Sequence, residues 1–122
     1  MRSKWIFHKG KRILYCDFAN FQVPDFEALK EELYAVESEI LRHPENSVLL
    51  ITDVSGSIAS MDAVDAVQKS AARSKRCVRK NAVLGITGIK KILFDPVVRF
   101  SGHRSKMFED LEKAKEWLVS AE

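Results

Sequence analysis

The stretch from Ser47 to Ser60, SVLLITDVSGSIAS, limits what this chain can fold into more than any other. Val48, Leu49, Leu50 and Ile51 form an unbroken apolar run rich in branched side chains, the composition of a strand covered on both faces. A strand with no polar face belongs in the middle of a sheet. Asp53 closes the run, and Val54-Ser55-Gly56-Ser57 supplies the turn chemistry of a strand-to-helix connection. A ligand or partner site is expected beside that turn.

The remaining elements fall around this strand. Trp5-Ile6-Phe7 begins a strand, Lys9-Gly10-Lys11 makes a tight turn, and Ile13 to Phe18 continues as a second strand, which together predict a β-hairpin. Val23-Pro24-Asp25 opens a helix, with Asp25 placed to accept from a free N–H of the first turn. Phe26, Leu29, Leu33, Val36 and Ile40 recur at helical spacing and form its core face, while Glu31, Glu32, Glu37 and Glu39 read as a solvated face. Arg42-His43 and Pro44 end it. Ser60 is the predicted N-cap of a second helix running to about Ser74, with Asp62 in its first turn and Val64, Val67 and Ala71 facing the sheet. Ala59, Ala63, Ala66 and Ser70 make a small-residue line that admits a close neighbour, within the chain in preference to a second copy.

Ala82 to Ile86 forms another apolar strand. Thr87-Gly88 leads into a helix with Ile89, Ile92, Leu93 and Phe94, interrupted at Pro96 and continued through Val97, Val98 and Phe100 to Ser101-Gly102. Lys106-Met107-Phe108 is a short edge strand, and Asp110 caps a last helix whose Leu111, Ala114, Trp117 and Leu118 cover the sheet. The order is ββαβαβαβα, an α/β chain with a mostly parallel five-stranded sheet and right-handed crossovers. Its 122 residues suit one domain, 1–122, with a core that needs no metal or disulfide.

Charge is unevenly spread. Residues 1–16 carry five basic and no acidic groups, and 17–66 carry eleven acidic and two basic. Residues 67–108 carry eleven basic groups against Asp95, and 109–122 carry five acidic and two basic. Such blocks suit an anionic partner or association between acidic and basic faces, including a homodimer, unless both are simply solvated. No apolar run approaches the roughly 20 residues of a membrane-spanning helix. The first residues lack a signal-peptide pattern, so a cytoplasmic chain with Cys16 and Cys77 as free thiols is expected.

With NSVLLITDVSGS, NAVLGITGIKKIL and MFEDLEKAKEWL in this element order, nearly the whole chain resembles the STAS domains of sulfate transporters and anti-sigma-factor antagonists, in the SpoIIAA-like branch of small stand-alone proteins. The resemblance implies a sheet of order 1-3-2-4-5 with an antiparallel first strand and an architecture like that of lipid-binding CRAL-TRIO domains. In that order the carboxyl ends of strands two, three and four surround topological switch points. Asp17, Asn20, Asp53, Ser55, Ser57 and Thr87 would line the rim as ligand or partner residues, or else only satisfy turn backbone. The family's best-understood members are switched by phosphorylation in an Asp-Ser-Ser/Thr-Gly motif at the start of the second helix. Here that region reads Ser60-Met61-Asp62-Ala63-Val64, which keeps Asp62 but has its serine one turn away. Ser60 and Asp62 are therefore regulatory candidates, with capping the simpler role of Ser60.

No complete catalytic signature is present. A hydrolase reading would need Ser55 or Ser57 as nucleophile, His103 as base and Asp53 as orienter, yet GxSxG is missing. His8, His43 and His103 are too scattered for zinc, and Gly85, Gly88 and Gly102 make neither GxGxxG nor a P-loop, so no metal or cofactor is expected. Cys77, between Lys75-Arg76 and Arg79-Lys80, is a candidate redox-sensitive thiol. The basic cluster Lys69, Arg73, Lys75, Arg76, Arg79 and Lys80 lacks interleaved aromatics, which argues against sequence-specific nucleic-acid recognition. The expectation is a non-enzymatic binding or regulatory module that associates with a protein, modulated by a small apolar or anionic ligand. The alternative is a carrier of a lipophilic molecule held between sheet and helices near Phe94, Val98, Phe100 and Trp117.

Overall fold

Lys9 and Gly10 both take positive φ, 49° and 79°. This two-residue turn matches the natural twist of paired strands and closes a hairpin. In the computed structural model, which describes residues 1–58, 60–86 and 104–121, β1 (Lys4–His8) pairs antiparallel with β2 (Lys11–Asp17). Parallel pairing then continues through β3 (Val48–Asp53), β4 (Val78–Leu84) and β5 (Arg104–Phe108). Ala59, Thr87, His103 and the helix expected after Gly88, with Phe94, Pro96, Val98 and Phe100, lie outside the described residues.

The sheet order is β1-β2-β3-β4-β5, which corrects the expected 1-3-2-4-5. Each parallel connection steps one place in the same direction, and right-handed crossovers then leave α1 (Phe26–Ile40) and α2 (Met61–Ser74) on one face. α3 (Leu111–Val119) covers the other. The strand order never reverses, so the carboxyl rim has no topological switch point. β3 is central, as its apolar run requires.

Alternation along the strands sorts two cores. Leu14, Cys16, Leu50 and Val83 meet Leu29, Leu33, Val36 and Ile40 of α1 and Ala63, Val64 and Val67 of α2. Ile13, Leu49, Ile51, Ala82 and Leu84 meet Ala114 and Leu118 of α3. The small-residue line of α2 seats it against α1, with Ala63 and Ser70 buried and the Ser70 hydroxyl donating to Glu37 at 3.0 Å.

The acidic face expected on α1 is only partly solvated. Glu32 and Glu37 are buried and Glu39 is largely covered. Glu32 accepts from the N–H groups of Arg2 and Ser3 and from the Ser3 hydroxyl, at 2.6 to 3.0 Å. Burial alone would raise its pKa, but these bonds outweigh burial and hold it below the usual carboxylate range. Glu37 is gripped by the guanidinium of Arg73 at 2.9 and 3.1 Å. Asp25 also departs from expectation: it accepts from Gln22 N–H, reaching back across the 3₁₀ turn Val23–Asp25 instead of forward into α1.

Candidate functional site

The carboxyl ends of β2 and β3 open into two loops that bond to each other. Phe18 N–H donates to Asp53 O, Asn20 N–H to Ser55 O and Ile58 N–H to Phe21 O, each at 2.9 Å. Two backbone conformations make this possible. Asn20 has φ 64° and Gly56 has φ 74°, and a Cβ on Gly56 would stand 2.2 Å from the Asn20 side-chain oxygen. Gly85, with φ 87°, lies under Ser55, where a Cβ would come within 2.4 Å of Ser55 N.

The predicted rim residues Asp17, Asn20, Asp53, Ser55 and Ser57 are thus brought together; the side chains of Asp17, Asp53 and Ser57 are engaged, while Asn20 and Ser55 join through their backbone and are exposed. Asp17 pairs with Arg2 at 3.0 Å and accepts from Ala19 N–H, while Arg2 also donates to Ala19 O. The Ser57 hydroxyl donates to Phe18 O at 2.5 Å and accepts from Phe21 N–H at 2.9 Å. Its one proton is committed to the Phe18 carbonyl. Asp53 accepts from Ser55 N–H and from the Tyr15 hydroxyl. Burial and this carboxylate push the Tyr15 phenol well above its ordinary range, so it stays protonated and donating. Tyr15 carried no motif in the sequence. Its alternation with Asp17 was readable, but its meeting with Asp53 depends on the register of β2 against β3.

Two clefts flank the rim. One lies on the α3 face, bordered by Tyr15, Asp53, Ser55, Phe108, Glu109 and Leu111. Leu111 is thereby half-exposed instead of covering the sheet. The other lies between the sheet and α1/α2, among Phe18, Phe21, Phe26, Leu29, Val54 and Val67, and encloses only about 30 Å³, room for a water or two. Around its mouth stand Val23 and Ile58, and Met61 begins α2 beside the lining residue Ser60. These three apolar side chains are exposed. Sequence reasoning missed Val23, Ile58 and Met61 as surface features, because an isolated apolar residue near a helix start reads equally well as core.

Ser60 caps α2, accepting from Ala63 N–H at 3.1 Å, and Asp62 is exposed in the first turn. Cys77 is corrected as a redox candidate. It is buried, with its thiol donating to His43 O, because the 3₁₀ turn Lys75–Cys77 tucks it under the loop before β3. Cys16 is buried too, and burial with the nearby Glu32 pushes its thiol strongly up, away from the reactive thiolate.

The basic cluster also divides. Lys80 is fully buried on the α3 face of β4, its ammonium donating to Trp117 O at 2.8 Å and to Ser120 O and Oγ at 3.1 and 3.0 Å. Arg73 is committed to Glu37, and Lys69 pairs with Asp65. Lys75, Arg76 and Arg79 remain exposed. Among the described residues no three His, Cys, Asp or Glu side chains gather as a metal would require, and no helix is long and apolar enough to cross a membrane.

No family model matches the chain, and no curated protein matches it. Among solved structures it is similar to an uncharacterized protein of the DUF3478 family with a SpoIIAA-like fold from Shewanella loihica PV-4. The two share 18% identity with a TM-score of 0.67, over 96% of this chain and 92% of that one. With the mixed sheet and its two covered faces, that likeness identifies the architecture: this chain has a SpoIIAA-like α/β fold.

Proposed function

We propose that the chain is a non-enzymatic binding or regulatory module that works by protein association, with its partner seated on Val23, Ile58 and Met61 beside the carboxyl rim. The observation that carries this reading is exposure: these side chains are 65%, 47% and 77% accessible. The loop that presents Ile58 is held by bonds from Ile58 N–H to Phe21 O and from Phe21 N–H to the Ser57 hydroxyl. A surface already fixed in place loses little conformational freedom on association. Asp25, two residues from Val23, and Asp62, next to Met61, are exposed, which favours a partner with basic groups around an apolar centre. The commitment of Ser57 and Asp53 to loop structure agrees with a role other than catalysis.

The test is affinity capture from the source cells followed by native mass spectrometry. Wild type and Phe7→Asp, which changes an exposed apolar residue on β1, should retain the same partner, and Ile58→Asp/Met61→Asp should lose it. A partner kept by the double variant refutes the assigned surface. A small-molecule mass that travels with the protein and disappears on denaturation would replace this reading with the lipophilic-carrier one.

A further inference from the structure

At the other end of the sheet, the amino ends of β2, β3 and β4 border a pocket on the α3 face. Its walls include Lys11, Ser47, Arg79 and Ser120 above a floor of Leu49 and Leu118, and among the described residues no acidic side chain lines it. The two basic blocks of the sequence converge here, since Lys11 comes from the first and Arg79 from the third. The carboxyl end of α3, whose carbonyls would repel an anion, is already neutralised. Lys11 donates to Val119 O at 3.3 Å, and buried Lys80 holds Trp117 O and Ser120 O.

The two serines are not free donors, because Ser47 gives its proton to Pro44 O and Ser120 gives its own to Trp117 O. Recognition must come from the cations. Arg79 is exposed, and its side chain makes no hydrogen bond or ion pair among the described residues. Its planar fork therefore stands unspent at the pocket wall, and the Lys11 ammonium keeps donors beyond the one it uses. Arg12 also borders the pocket, but its guanidinium lies 4.0 Å from the Trp5 ring, so it adds field more than contact.

We propose that this pocket binds a phosphate group, with Arg79 making the forked contact and Lys11 closing on it. Several cations, and no carboxylate among the described residues, suit an anion of more than one charge, and a guanidinium fork matches phosphate oxygens. The group can come from a soluble phosphate or from a lipid headgroup. This site lies at the opposite end of the sheet from Val23, Ile58 and Met61, so its failure and the failure of the docking surface are separate results.

Titration of isotopically labelled full-length chain with inorganic phosphate, and separately with phosphatidylcholine vesicles with and without phosphatidate, tests it. Saturable shifts of the Ser47, Arg79 and Ser120 amides with inorganic phosphate, weakened about tenfold by Arg79→Gln, support a soluble phosphate. Binding seen only with phosphatidate vesicles, and weakened likewise by Arg79→Gln, supports a headgroup. Lys11→Gln should weaken either, while Lys69→Gln on α2 should not. Equal weakening by Arg79→Gln and Lys69→Gln would mean diffuse charge attraction and overturn the proposal, as would shifts centred elsewhere or no binding to either probe.

Discussion

The two ends of the sheet are built in opposite ways. At the carboxyl ends of β2 and β3, short side chains and backbone bond across from loop to loop: Asp17 to Arg2, Asp53 to Tyr15, Ser57 to both Phe18 and Phe21. At the amino ends, long cationic side chains reach over, with Lys11 and Lys80 holding the last carbonyls of α3 while Arg79 holds nothing described. Asp17, Asp53 and Ser57 at the first end are spent on shape, and the apolar side chains of Val23, Ile58 and Met61 are left exposed. At the second end, shape needs only two of the lysines, which leaves charge in hand.

Gly85→Ala should do most to break this contrast. Positive φ and a 2.4 Å approach to Ser55 N leave no room for a methyl, so a loss of about 3 kcal/mol is expected in urea unfolding. The amides of Ser55 to Ser57 should shift with it. Lys80→Met tests the other end and should cost about 2 kcal/mol, because Trp117 O and Ser120 O lose a charged donor in a buried place. Trp117, whose ring lies 5.2 Å from the ammonium, should report the change by fluorescence.

Glu32→Gln comes next, at about 1.5 kcal/mol near neutral pH. The folded carboxyl is held below its unfolded pKa, so its contribution is present above the unfolded value and is lost as pH falls through the folded one. The variant should therefore lose less stability than wild type on acidification, measured by urea midpoints across that range. Ser60→Ala should cost about 1 kcal/mol as a lost cap of α2. Arg79→Gln should sharpen the comparison by doing almost nothing: a thermal unfolding shift worth less than about 0.5 kcal/mol, alongside the tenfold loss of phosphate binding.

The candidate rim was legible in part. Asp17, Asn20, Asp53, Ser55 and Ser57 were readable as strand-end and turn residues, and Ser60 and Asp110 as caps, because these roles depend on neighbours within a few residues. Tyr15, Arg2, Ile58 and Met61 were not. Tyr15 meets Asp53 across 38 residues of chain, and nothing near either one announces the other. The same blindness turned Glu32, Glu37 and Lys80 into surface residues and left Cys77 a candidate reactive thiol, since burial of a charged or polar group depends on donors or acceptors brought from elsewhere.

The sequence by itself determined the local grammar: apolar runs and stripes, caps, the Lys9-Gly10 turn, and hence an α/β chain with a central β3 and a hairpin at its start. Those features follow from periodicity and backbone preference, which act over one or two turns of chain. Only the tertiary structure decided the order of the strands, which charges are spent inside and which are left over. Strand order is a choice between pairings of similar local quality. The fate of a charge is set by whether folding places a partner within about 3 Å, a matter of register and crossover direction that no short window of residues contains.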